Sequence, residues 1–292
     1  KLKNLLSLMF TVLFYSISIF FIFVLLKLEP LGIMGLAKSF LPTILNGYWF
    51  FSAYVGLFLL TPFLNLLVQK LTPKLTFVFA MVFFLFCTVS TIYDTFSILR
   101  GYSVLWFALI YLIGAIIKKY RLNELFSKKT WLLVFSATFA LAVLSKLVFS
   151  IIPISIVSSH SDLLIKYVSP LIVVMAIALF CVFSKIDCKP SFAPAISFFA
   201  TSAFSVYLIH DNIYVRTHLI SKIGGYIGGF SFVLLVLAVI IIALSIFLVC
   251  ILIDKARLLI FRLLKIDKLA EAIEKLIKSA LNFVYKKFEK LI

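Results

Sequence analysis

Apolar runs of about 20 residues recur along the whole chain, and they constrain its fold more than any other feature. An α-helix needs about 20 predominantly apolar residues to cross the hydrocarbon core of a bilayer. Runs of this kind lie at residues 7–28, 48–69, 75–93, 102–117, 131–152, 164–184, 193–213 and 230–253. The sequence therefore predicts an all-α, polytopic membrane helix bundle with about eight transmembrane helices.

Composition excludes the alternative of one large soluble core. The chain is 64% hydrophobic and 13% charged, with a mean hydropathy of +1.21. Soluble domains have about 45–50% apolar and about 25% charged residues. The net charge of +17 indicates attraction to a membrane surface rather than a nucleic-acid partner. The four cysteines form no CxxC motif and no Cys/His cluster, so we expect neither a disulfide framework nor a metal site.

The basic residues predict how the chain is oriented. With a cytoplasmic N-terminus, 21 of the 28 Lys and Arg residues fall on the inner side and seven on the outer side. Lysine and arginine are enriched in the cytoplasmic segments of membrane proteins. We therefore expect an integral protein of the plasma (inner) membrane with both termini in the cytoplasm.

The C-terminal segment differs from the rest of the chain. Residues 1–255 are predicted to form one transmembrane domain, and residues 256–292 a basic cytoplasmic tail. From about Leu269 onward, apolar residues recur at helical spacing and Lys and Glu occupy the other face. An amphipathic interfacial helix is predicted here, with membrane lipids of the inner leaflet as its partner. A helix that docks on a partner protein is the alternative.

The second apolar run, "YWFFSAYVGLFLLTPFLN" (residues 48–65), carries a polar stripe. Tyr48 and Trp49 stand at its outer end, where a belt of interfacial aromatic residues is expected. At about 100° per residue, Tyr54, Thr61 and Asn65 fall on one side of the helix. This stripe could form hydrogen bonds between helices or line a cavity, and the pattern alone leaves both interpretations open.

The seventh run ends in "SAFSVYLIHD" (residues 202–211), which places polar groups at the edge of the membrane. Such groups are costly at membrane depth and therefore indicate a function. Helical spacing puts Tyr207, His210 and Asp211 on one face, together with Tyr214. Histidine exchanges protons near neutral pH, and an aspartate can orient it. The alternative is a helix end that is polar because it reaches the interface.

Two segments resemble the acyltransferase-3 family of integral membrane acyltransferases. They are "YWFFSAYVGLFLLTPFLNLLV" and, much later, "ISFFATSAFSVYLIHDNIYVR", and the resemblance extends in order over roughly the first 255 residues. It implies a protein of about ten spans with cytoplasmic termini. It also implies transfer of an acyl group, often acetyl, from a cytoplasmic donor to a sugar or another acceptor outside. Acyl-CoA (acetyl-CoA) is then the expected co-substrate, with no bound cofactor, and a cell-surface polysaccharide or glycan the expected acceptor.

The resemblance also suggests roles for individual residues. Tyr207 and His210 are expected to bind the acceptor or relay a proton, and Asp211 is expected to orient His210. Substrate binding is assigned to four further residues, which are Trp49, Tyr54, Asn65 and Arg216.

One departure from the family pattern limits what can be carried over. A His in the first span and an Arg-xxx-Arg pair before the third are tied to catalysis in the family, and this sequence contains neither. We expect these core catalytic residues to lie upstream of Lys1, and we expect the 292-residue chain alone to be inactive. Two other functions stay open, a polysaccharide or lipid transporter (flippase) and a non-catalytic membrane scaffold. A transporter would predict inverted repeats and broken helices near mid-membrane, and Pro62 and Pro170 are the only such interruptions seen.

Overall fold

The structure is a computed structural model that describes residues 2–45, 47–152 and 160–289. Those ranges are helical almost throughout and contain no β-strand. The predicted all-α class is therefore confirmed.

The helices vary in length from one turn to 32 residues. In chain order they are α1 (Leu2–Leu25), α2 (Ile33–Phe40), α3 (Trp49–Lys70), α4 (Pro73–Ile92), α5 (Val104–Lys119), α6 (Lys128–Ile151), α7 (Pro170–Phe183), α8 (Ala193–Ala200), α9 (Ala203–His210), α10 (Ile213–Val215), α11 (Ser221–Ile227), α12 (Phe232–Leu263) and α13 (Ile266–Glu289). Short 3₁₀ helices occur at Leu99–Gly101, Leu122–Glu124, Leu163–Ile165 and Pro190–Phe192, and a π-helical turn at Arg216–Ile220.

In the described ranges, seven helical segments are long and apolar enough to cross a membrane. They correspond to every predicted span except the fourth, and they confirm an integral membrane protein. Many of their large apolar side chains are exposed on the protein surface, as expected for residues that face lipid; examples are Phe77, Leu133 and Ile241.

The fourth predicted span, 102–117, forms the 16-residue helix α5. Sixteen residues rise only about 24 Å, which is less than the roughly 30 Å of a hydrocarbon core. The side chain of Ser103 fixes the first turn by accepting a hydrogen bond from the Trp106 amide at 3.2 Å, and Lys118 and Lys119 form the last turn. Polar residues at both ends therefore limit this helix to less than the length that crosses a hydrocarbon core.

The chain folds as two compact units. The first unit contains residues Lys1–Trp49 and Lys189–Ile292, and the second contains Phe50–Cys188. In the first unit, α1 packs against α2, α9 and α13, and α9 packs against α12. The last predicted span ended at residue 253, but α12 continues to Leu263.

Side-chain caps define where helices of the second unit begin. The hydroxyl of Thr72 accepts a hydrogen bond from the Leu75 amide at the start of α4, and Pro73 occupies the first helical position. Ser127 caps α6 in the same way, through the Thr130 amide at 3.1 Å. Such caps satisfy amides that have no partner within the helix. The core of this unit is a cluster of buried side chains from α4, α5, α7 and the loops between them: Phe83, Cys87, Ile98, Trp106, Ile113, Ile117, Val168 and Val173.

Candidate active site

The candidate site is built around the C-terminal end of α9 in the first unit. Leu208 and Ile209 are buried and hold this end against the unit, whereas His210 is exposed. Nδ1 of His210 lies 2.7 Å from the carbonyl oxygen of Val206, one turn earlier. A carbonyl can only accept a hydrogen bond, so Nδ1 carries the proton. Nε2 of the neutral imidazole is therefore the proton-accepting nitrogen.

Asp211 has a different partner from the one predicted. Its Oδ1 lies 3.3 Å from an Nη atom of Arg216, with which it forms an ion pair. The orienting contact of His210 is thus the Val206 carbonyl, and Asp211 instead orients the guanidinium of Arg216. Helical spacing had placed Asp211 on the His210 face, but the chain leaves the α-helix at this residue.

A buried tyrosine fixes the turn that follows α9. The hydroxyl of Tyr48 donates to the Leu208 carbonyl at 3.0 Å and accepts from Nδ2 of Asn212 at 2.8 Å. Asn212 in turn accepts from the Tyr214 amide at 3.0 Å. Burial raises the pKa of Tyr48 above its ordinary value, which keeps the phenol neutral. Tyr48 is 2% exposed, so its ring faces the interior of the first unit.

The cavity next to this turn has a volume of about 280 Å³. Three predicted site residues, Trp49, Asp211 and Arg216, line it together. Other walls come from α1, from α2 and the loop after it, and from the turn after α9; among the lining residues are Ser16, Lys38, Ser39, Tyr48, Asn212 and Tyr214. The Tyr207 ring packs against the ring of Tyr48, one of these lining residues, with centroids 6.0 Å apart.

The other two predicted site residues, Tyr54 and Asn65, belong to the second unit. The Tyr54 ring stacks on Phe51 with centroids 6.4 Å apart. Asn65 accepts a 2.7 Å hydrogen bond from the hydroxyl of Tyr111 on α5. For Asn65 the structure therefore shows both interpretations of its stripe, because the residue forms an interhelical hydrogen bond and also lines a cavity of the second unit.

Sequence reasoning missed a buried polar cluster in the first unit. Oδ1 of Asp254 accepts from the Tyr15 hydroxyl at 2.8 Å and from Nε of Arg257 at 2.7 Å. Asp254 is fully buried, and Arg257 and Tyr15 are nearly so. The signal was present, because acidic and basic residues three apart on a helix lie on one face. The last predicted span ended before both residues, and Arg257 was assigned to the cytoplasmic tail.

A second missed contact lies near the candidate cavity. Nε2 of His218 is 2.6 Å from a carboxylate oxygen of Glu29, in the loop that follows α1. The His218 ring also packs on Phe23, and the Phe23 ring packs on Tyr214. Burial, and then the nearby charge of Glu29, raise the pKa of Tyr214. His218 lies in the π-helical turn, a type of turn found frequently at functional sites.

Across residues 2–45, 47–152 and 160–289, no three His, Cys, Asp or Glu side chains come together as a possible metal site. A family model described as an acyltransferase domain matches residues 1–255. The chain belongs to the acyltransferase-3 family. This acyltransferase-3 protein is therefore an integral membrane acyltransferase, and the match includes the candidate cavity and the end of α9. Comparisons with curated proteins and with solved structures find no match.

Proposed function

We propose that this acyltransferase moves an acyl group, with acetyl as the expected one, from cytoplasmic acyl-CoA to a hydroxyl of a cell-surface polysaccharide or glycan. One observation supports the acceptor-binding part of this proposal. The cavity at the end of α9 combines an aromatic ring, a carboxylate and a guanidinium, supplied by Trp49, Asp211 and Arg216. We propose this cavity as the acceptor site.

The chemistry of the cavity suits a sugar. Sugar hydroxyls donate and accept hydrogen bonds, and the lining offers an acceptor in Asp211 and donors in Arg216 and Lys38. The apolar face of a sugar ring can pack on the Trp49 indole. Small-molecule sites commonly pair aromatic walls with a few fixed polar groups of this kind. The ion pair between Asp211 and Arg216 sets the distance between one such acceptor and one such donor.

The proposed reaction is an acyl transfer from sulfur to oxygen. The acceptor oxygen attacks the thioester carbonyl, a C–O bond forms, the C–S bond breaks, and the leaving sulfur takes up a proton. The acceptor hydroxyl loses its proton to a base. His210 suits a proton relay on the acceptor side, because its Nδ1–H is held by Val206 and Nε2 is left to accept. His210 and Tyr207 are proposed in a supporting role.

A change at His210 tests this role in the protein produced from its complete coding sequence. If His210 transfers the proton, we expect His210→Ala to lower the rate of surface-glycan acetylation by about 10²–10⁴-fold. The acetyl content of the surface glycan is the measured quantity. His210→Gln should recover little of that loss. If His210 only binds the acceptor, the loss should be smaller and should appear mainly as a raised KM for the acceptor.

The matched control is His160→Ala, which removes another histidine that the charge bias puts on the outer side. It should leave acylation unchanged. Protein amount in the membrane fraction is measured for every variant, so that a folding defect is not read as a catalytic one. Unchanged acylation in His210→Ala at equal protein amount would contradict the proposed role. The same assay on the 292-residue chain alone tests its expected inactivity.

A further inference from the structure

The second unit contains a larger cavity, of about 1170 Å³, near the ends of α3 and α5. Its lining includes Asn65, Gly114, Lys118, Arg121, Phe180 and Ser184. Both polar and apolar groups therefore face one space, and the charge bias of the sequence puts these helix ends on the cytoplasmic side.

The part of this cavity beside Gly114 is open and mostly uncharged. A Cβ atom added at Gly114 would meet no atom within 4 Å, so there is free space beside the helix at this residue. Ala115 and Phe180 contribute apolar surface. The hydrogen bond between Asn65 and Tyr111 supplies the polar group on this side.

The mouth of the cavity is basic. Lys118, Lys119 and Arg121 all line it. Nζ of Lys119 donates to three carbonyl oxygens at and just beyond the end of α3, those of Val68, Gln69 and Leu71, at 2.7–3.1 Å. This contact fixes Lys119 and ties α5 to α3. Lys119 thus holds the cavity together rather than offering its charge to a ligand.

Two cations at the mouth remain available for a ligand. Lys118 is exposed, and Arg121 is exposed with only a long 3.9 Å approach to the equally exposed Glu124. An ion pair of that length in water is weak. Arg121 also has a left-handed backbone, with φ of 50°, which few residues other than glycine adopt. Guanidinium and ammonium groups both suit phosphate oxygens.

We propose that this cavity binds the phosphate-bearing part of the acyl donor, a coenzyme-A-type thioester. Lys118 and Arg121 would bind the phosphates, and the space beside Gly114 would take the uncharged arm that leads to the thioester. This inference rests on the proposed function for the existence of such a donor. It adds the site and the residues that recognise it.

The test measures binding and needs no turnover. The purified 292-residue chain, in nanodiscs of zwitterionic lipid, is titrated with coenzyme A by calorimetry. We expect saturable binding that weakens as salt rises, because salt screens exposed charges. Replacing Lys118 and Arg121 together by alanine removes two charge-assisted contacts. It should weaken binding by about tenfold or more for each contact.

Two further variants test whether binding depends on this cavity or only on the positive charge of the surface. Lys128→Ala with Lys129→Ala removes the same number of cations from the first turn of α6, outside the cavity lining, and should change affinity less than about twofold. Gly114→Leu places a side chain in the open space and should abolish binding. We expect the thermal unfolding midpoint of Gly114→Leu not to fall, because the Cβ of the new side chain would meet no atom within 4 Å.

Three results would overturn the proposal. One is no binding of coenzyme A by the unchanged chain, and another is equal loss in the Lys128/Lys129 control. The third is binding of anionic phospholipid, but not coenzyme A, that depends on Lys118 and Arg121, since the ligand would then be a lipid headgroup. Suppose that coenzyme A binds with the expected pattern, but the protein produced from its complete coding sequence acylates no surface glycan. That result would refute the proposed acceptor and would leave the proposed donor site supported.

Discussion

Removal of the guanidinium from the buried cluster of the first unit should destabilise the protein strongly. Arg257→Met keeps a long apolar side chain but leaves the Asp254 carboxylate, which is fully buried, without its cation. The Tyr15 hydroxyl, at 2.8 Å, would still donate a hydrogen bond to the carboxylate, but it carries no positive charge. Breaking one side of a buried ion pair typically costs about 3–5 kcal/mol, because the other charge stays uncompensated. We expect a loss of that size in the free energy of unfolding.

Removal of both charges should cost much less. In Asp254→Leu with Arg257→Met, no unpaired charge is left in the interior, and apolar replacements of buried pairs are often neutral or stabilising. The two single changes should therefore be strongly non-additive. Unfolding is followed by circular dichroism during a denaturant titration in one fixed detergent, and the double-mutant cycle gives the coupling energy.

The matched control is an ion pair on the surface of α13. Lys278 lies 2.9 Å from Glu274 at i, i+4 spacing, and its side chain is 63% exposed, whereas that of Glu274 is 15% exposed. Lys278→Met should cost less than about 1 kcal/mol, because water and salt screen the exposed ammonium. If Arg257→Met costs no more than Lys278→Met, or if the double variant loses the sum of the single losses, the reasoning is refuted.

Three further predictions concern topology, the tail and packing. A single cysteine in the 118–129 segment, in a cysteine-free background, should resist an impermeant thiol reagent on intact cells; labelling there would reverse the proposed orientation. A peptide of residues 266–289 should be disordered in water, become helical on anionic vesicles and detach as salt rises, because its lysines bind headgroups and its apolar face is otherwise exposed; helicity that is the same without vesicles would contradict this. Gly56→Leu should lose about 1–3 kcal/mol of stability, since even a Cβ at Gly56 would lie 2.6 Å from the Val104 side chain. The loss in Gly56→Ala should be smaller. An unchanged thermal unfolding midpoint for Gly56→Leu would show that α3 and α5 are not tightly packed there.

The apolar runs predict the spans well because crossing a bilayer imposes one requirement, a minimum length of apolar helix. The prediction fails where hydrogen bonds to other residues set the length of a helix. Helix α5 is short because Ser103 caps it and the side chain of Lys119 is held by carbonyls at the end of α3. A hydropathy window detects neither contact.

The candidate site could be predicted only in part, for a similar reason. Helical periodicity places Tyr207, His210 and Asp211 on one face. Trp49 was assigned to the site because its motif resembles that of the family. Periodicity holds only while the helix continues, and the turn at Asp211 redirects that carboxylate to Arg216. The link from Tyr48 to Asn212 spans 164 positions, and no local pattern in the sequence indicates it.

The buried ion pair between Asp254 and Arg257 also limits where the chain can be shortened. The family match ends at residue 255, between Asp254 and Arg257. A chain trimmed to the matched segment would keep the carboxylate in an apolar interior and discard the cation that compensates it. The helix itself continues to Leu263 before the chain turns into α13. A shortened version meant to retain the first unit should therefore end after Leu263, because Arg257 lies past residue 255 and is buried in the interior of that unit.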